Sequence, residues 1–118
     1  MHEPPRTVDS SHNRRADTRH PPRARVKVEC RRGAAGLGPN LATELIDLSQ
    51  LGAKITAKSE LQIAEEIEIT LLSHALQKPV KVLANVVRAE VMKDSRFRYG
   101  VRFQRPVSYA ELRLLTNF

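Results

Sequence analysis

From Val26 onward, apolar and polar residues alternate in short runs, the pattern of half-buried β-strands. Val26, Val28 and Cys30 are interleaved with Lys27 and Glu29. The stretch 33–40 (GAAGLGPN) reads as a loop, with three Gly and a Pro. Leu45-Ile46-Asp47-Leu48 predicts a second short strand, ended by Ser49-Gln50-Leu51-Gly52, and 53–57 (AKITA) alternates again. In 66–71 (EIEITL), Ile67, Ile69 and Leu71 share one face. The glutamates make a helix the competing reading there, but β-branched residues in strict alternation favour a strand.

The longest strand is predicted over 80–91. Val80, Val82, Ala84 and Val86 occupy one phase; Val87, Ala89 and Val91 then take over the other. Such a switch predicts a β-bulge or a barrel corner between Val86 and Val87. Lys93-Asp94-Ser95 supplies a hairpin turn into Phe97, Tyr99, Val101 and Phe103, with Arg96, Arg98, Arg102 and Gln104 on the opposite face and Pro106 as the stop. Ser108 with Glu111 forms a capping box for a closing helix bearing Leu112, Leu115 and Phe118. The expected fold is mainly β, a six-stranded antiparallel, closed or split β-barrel with a C-terminal α-helix.

Before this body, residues 1–23 have no Leu, Ile or Phe, but contain Pro4, Pro5, Pro21 and Pro22. They read as disordered in isolation, because they bury too little apolar surface to offset ordering entropy. The net charge of +7 is concentrated at this end. Residues 1–32 hold eight Arg and Lys27 against Glu3, Asp9, Asp17 and Glu29, whereas the remainder is nearly balanced. A basic arm on a neutral body calls for an anionic partner. No apolar run reaches the ~18 residues of a membrane span, and no secretory leader is expected at the amino terminus. Single Cys30 fits a reducing compartment, so the expected location is cytoplasmic.

The chain does not read as an enzyme. Cys30 lies on the apolar phase of its strand, which marks a buried structural thiol. The histidines at 2, 12, 20 and 74 lack metal-ligand spacing, so no metal is expected. The GLG at 36–38 is too short for a phosphate loop and has no following Lys. Glu65, Glu66 and Glu68 read as a solvated strand face. Two constellations remain: Arg14-Arg15-Ala16-Asp17-Thr18-Arg19 in the arm, and Asp47-Leu48-Ser49-Gln50-Leu51-Gly52 at a strand end.

Taken together and in this order, Arg15…Arg19 (RxxxR) and Asp47…Ser49…Gly52 (DxSxxG) resemble the signature of the PilZ family. The likeness extends to Val86-Val87-Arg88, to 99–103 (YGVRF) and to the closing helix, and covers about residues 13–118. It implies a bacterial receptor for cyclic di-GMP, acting in trans as a signalling adaptor on an unidentified downstream protein. The implied organisation is a disordered tail over 1–13, a basic ligand-binding arm over 14–23, and a barrel with its closing helix over 24–118. Arg19 and Arg23 also form an RxxxR. Arg15 with Arg19 is preferred, because Arg14 then supplies the doubled arginine frequent in the family. Arg23 becomes a phosphate contact or a surface charge.

The ligand explains the residue types. Guanine presents O6 and N7 as adjacent acceptors, which one guanidinium fork meets together and a Lys does not. The opposite guanine edge donates two N–H groups that a carboxylate such as Asp47 accepts. Ser49 is expected to hydrogen-bond a phosphate or ribose oxygen, and Gly52 to allow a positive φ or a close backbone approach to the ligand. Arg14, able to stack on a further guanine, implies two ligands per domain. Two other readings are a PilZ-like interaction module that binds no nucleotide, and a basic-arm barrel that binds nucleic acid. The intact motifs argue against the first. Against the second, Phe97, Tyr99 and Phe103 alternate as core residues and not as exposed stacking platforms.

Overall fold

The computed structural model describes residues 18–33 and 35–117. The tail, Arg14, Arg15 and Phe118 lie outside the described residues. Six strands form: β1 (Lys27–Arg32), β2 (Ala42–Leu48), β3 (Gly52–Ala57), β4 (Glu66–Leu72), β5 (Val80–Val91) and β6 (Phe97–Phe103). They precede one helix, α1 (Tyr109–Leu115). The expected mainly β architecture is therefore present. The first two strands are set differently from the sequence reading: β1 begins one residue after Val26, and β2 reaches back to Ala42.

All pairings are antiparallel, in the order β1-β4-β5-β6-β3-β2. The end strands β1 and β2 curl towards each other and nearly close a barrel. Leu41 N–H donates to the Cys30 carbonyl at 2.8 Å, and the Asn40 side-chain oxygen accepts from both Cys30 N–H and Ala42 N–H. One amide thus bridges the seam where the main-chain ladder is incomplete.

Alternation decides what fills the interior. Cys30 faces Ile69 across β1–β4, Ile69 faces Val82 across β4–β5, and Val86 faces Val101 across β5–β6; all five are buried. The predicted phase switch in β5 is a β-bulge: Val86 pairs with Val101 and Arg88 with the preceding Gly100, leaving Val87 as the extra residue. After the bulge, Ala89 and Val91 oppose Tyr99 and Phe97 and share their face. Val87, the bulged residue, is 53% exposed, and Val91, beyond the last β4 partner of β5 at Asn85, is 73% exposed. Tyr99 is buried with its phenol satisfied, accepting from Leu61 N–H at 2.7 Å and donating to the Ser59 carbonyl. In α1 the predicted capping box is complete: Ser108 Oγ accepts from Glu111 N–H, and the Glu111 carboxylate accepts from Ser108 N–H. Leu112 and Leu115 point into the core.

Cys30 is fully buried. Burial pushes its thiol from 9.0 up to about 11; the Glu65 carboxylate adds to this, and Arg32 and Arg31 oppose it. A thiol whose folded pKa lies above its unfolded value contributes stability that is fully present below the unfolded pKa and is lost as pH rises through the folded one. Urea unfolding between pH 9 and pH 11 is expected to show a steeper loss of stability for the native chain than for Cys30→Ala. Parallel pH profiles would contradict the assignment.

Candidate functional site

The site begins with a turn. At the end of β2, Leu48 is buried and the chain reverses through Ser49, Gln50 and Leu51 into β3. Ser49 makes the reversal. Its hydroxyl accepts from Leu51 N–H at 3.2 Å and from Gly52 N–H at 3.1 Å, and donates to the Gly52 carbonyl at 3.3 Å. Ser49 N–H also donates to that carbonyl at 2.9 Å. A short hydroxyl side chain that satisfies its own turn is a recurring device at strand ends. The rest of the turn is held from the end of the neighbouring strand β6 and the segment that follows it. Phe103 N–H donates to Leu51 O, Val107 N–H donates to Gln50 O, and the Gln50 amide returns a bond to Val107 O.

Gly52 is the second requirement of this turn. Its φ is outside the left-handed region. What demands glycine is the neighbouring strand: a Cβ there would collide with the Val101 carbonyl oxygen. The close approach is therefore to β6, and this lets β3 and β6 pair right up to the turn.

On this platform Asp47 faces outward. A register shift between Leu45 and Asp47 leaves Ile46 as the extra residue, so Leu45 opposes Ile55 inside while Asp47 opposes Lys54 outside. The arm reaches Asp47 from above. His20 and Leu48 exchange both backbone hydrogen bonds at 3.0 Å. Beyond them Arg23 N–H donates to Leu115 O, and Asn117 N–H donates to Pro21 O. Residues 20–23 are thus stitched between the end of β2 and the end of α1. This corrects the expectation that the chain lacks order as far as Arg23: its backbone donors are met by main-chain carbonyls, which needs no apolar side chains.

The stitching delivers Arg19 to Asp47, Nη1 to Oδ1 at 2.8 Å. The arginine side chain is 39% exposed and the carboxylate side chain 19%. A pair this accessible contributes about 0.2–1 kcal/mol, because water screens both charges. A bidentate guanidinium–guanine contact is worth about 1–3 kcal/mol. The pair is therefore strong enough to position both groups and weak enough for a planar, hydrogen-bonding ligand edge to displace.

The structure thus brings together Arg19, Asp47, Ser49 and Gly52, while Arg14 and Arg15 fall outside the described residues. Ser49 is fully buried, with its hydroxyl committed to the turn rather than offered to a ligand oxygen. Arg23 faces away from Asp47: its Nε donates to Thr116 O at 3.0 Å and its Nη2 to Arg113 O at 2.9 Å. It covers carbonyls at the C-terminal end of α1, where a cation is favoured. Gln50 is a positioning residue that sequence reasoning passed over. Its partner, Val107, lies 57 positions away, and no local pattern marks it. Among the described residues no cluster of His, Cys, Asp and Glu is arranged to hold a metal, and no helix is long and apolar enough to cross a membrane.

A family model for the PilZ domain matches residues 13–118. That is nearly the whole chain, and the chain belongs to the PilZ domain family, whose members are adaptors that bind cyclic di-GMP. No curated protein and no solved structure matched the chain in the same comparisons.

Because Gly52 and Asp47 do different jobs, their variants separate. Gly52→Ala is expected to lose about 2 kcal/mol through overpacking, lowering the melting temperature by roughly 10 °C in a domain of this size. Asp47→Ala is expected to stay within about 1 kcal/mol of native. Thermal unfolding by circular dichroism reads both, and a larger loss for Asp47→Ala would reverse the assignment.

Proposed function

We propose that this protein is a bacterial cytoplasmic receptor for cyclic di-GMP that acts in trans, passing the state of its arm to a downstream protein. The observation that carries the reading is the contact between the two motifs: Arg19 of the arm and Asp47 of the barrel meet at 2.8 Å. They offer complementary halves of a guanine-reading site on one solvent-accessible edge. Arg19 is common to both RxxxR spacings. Arg23 spends its guanidinium on carbonyls of α1, which favours Arg15 as the second member.

In this reading the Arg19 fork meets O6 and N7 of guanine. Asp47 accepts from the N–H groups of a guanine's opposite edge. Arg15 contributes a further fork or a phosphate contact. Ser49 and Gly52 act one step back, holding the turn so that Asp47 stays at the rim. Arg14 extends the site to a second ligand, giving two per domain. Binding converts the Arg19–Asp47 pair into two ligand contacts and orders the basic segment over the barrel. Ordering costs part of the contact energy, so a dissociation constant around micromolar, about −8 kcal/mol, is expected.

Titration calorimetry with cyclic di-GMP tests this. Arg19→Ala and Arg15→Ala are each expected to weaken binding by about 1–3 kcal/mol, tenfold to more than a hundredfold. Asp47→Ala should weaken it while melting near the native temperature. The same titration counts ligands, and one per chain removes the role given to Arg14. Absence of heat with the folded native chain would overturn the reading.

A further inference from the structure

The outward face of the barrel beside Asp47 carries a row that the two motifs do not include. Across the sheet, Asp47 of β2 opposes Lys54 of β3, Lys54 opposes Gly100 of β6, and Gly100 opposes Arg88 of β5. With strands spaced about 4.8 Å apart, Gly100 lies roughly 10 Å from Asp47 along this row and Arg88 roughly 14 Å. Along β6 the same-face neighbours of Gly100 are Arg98 and Arg102. A residue without a side chain is therefore surrounded by four cations, with Arg88 and Arg102 exposed and Lys54 half-buried.

Those charges are balanced only in part, by Asp47 opposite Lys54 and by Glu90 beside Arg98. Arg98 is drawn loosely to Glu90 at 3.7 Å. Lys54, Arg88 and Arg102 have no ion pair or hydrogen-bonding side-chain partner among the described residues. Like charges held close on neighbouring strands repel, which costs stability unless an anion joins them. A Cβ at Gly100 would press to 3.3 Å against the Arg88 Cβ, so a side chain there would crowd Arg88.

We propose that the Lys54–Gly100–Arg88 row, flanked by Arg102, is a phosphate cradle continuous with the Arg19–Asp47 site. A phosphodiester of the dinucleotide lies over Gly100 while a guanine is read at Asp47. This rests on the reading of the Arg19–Asp47 edge as a cyclic di-GMP site, and it assigns an anchor on the rigid sheet in addition to the arm. Anchoring by point charges at Lys54 and by a fork at Arg88 supplies affinity that salt weakens, whereas the guanine contacts supply selectivity.

The test is titration of cyclic di-GMP into the native chain, Lys54→Ala, Arg88→Ala and Arg88→Gln at low and moderate salt, with phosphorus NMR of the bound ligand. These side chains face solvent, and melting temperatures near native would show that the variants fold. Each variant is expected to bind about tenfold more weakly at low salt, with a shallower salt dependence than native. With the ligand saturated by folded protein, the phosphorus resonance of the bound form should lie closer to its free position in these variants, a change that weaker guanine reading alone does not produce. If Arg19→Ala loses binding while the Lys54 and Arg88 variants keep native affinity, salt dependence and phosphorus shift, the cradle is refuted and the proposed function stands. If the native chain binds no cyclic di-GMP, both fall together.

Discussion

A backbone exchange between His20 and Leu48 governs the geometry of this molecule. Two hydrogen bonds at 3.0 Å pin the incoming chain to the end of β2. The other ties of the arm, at Pro21 and Arg23, hold it to the end of α1 and not to β2. The segment is polar, rich in proline and arginine, and has no Leu, Ile or Phe with which to anchor itself. Pinning at residue 20 leaves Arg19 one position upstream of a fixed point and Asp47 one position before its partner. Their meeting is therefore a consequence of main-chain register more than of charge attraction, which at this exposure is small.

Most of the barrel was legible because its signal is periodic. Alternation over 80–91 and 97–103 located β5 and β6, and the shift of phase at Val86–Val87 located the bulge. The capping box at Ser108 likewise follows from two residues three apart. What escaped reading has its partner far away in sequence. Ser49 and Gly52 could be singled out as a motif, yet their tasks depend on the closed turn and on the Val101 carbonyl, 49 positions beyond Gly52. Arg23 read as a phosphate contact or a surface charge, but it serves carbonyls 90 and 93 residues on. Val91 lies on the apolar phase read from the sequence and is nonetheless exposed, because periodicity marks a face without saying where the neighbouring strands stop.

The motif residues thus divide by physical task. Ser49 and Gly52 are buried in the turn and set its shape, whereas Asp47 and Arg19 are accessible and pair with each other. A buried hydroxyl with its bonds satisfied holds a position, because moving it exposes unpaired donors. An accessible ion pair can be exchanged, because water already competes for both members. Rigid support beneath replaceable contacts suits an edge whose occupant comes and goes.

The bridge between Pro22 and Thr116 has a topological consequence. With Asn117 N–H on the Pro21 carbonyl at 3.0 Å, the segments entering and leaving the barrel run side by side in antiparallel fashion. A module whose two ends are neighbours can be spliced into a loop of a host protein with little distortion of either. The Arg23 side chain ties the two ends together a second time, at the last turn of α1.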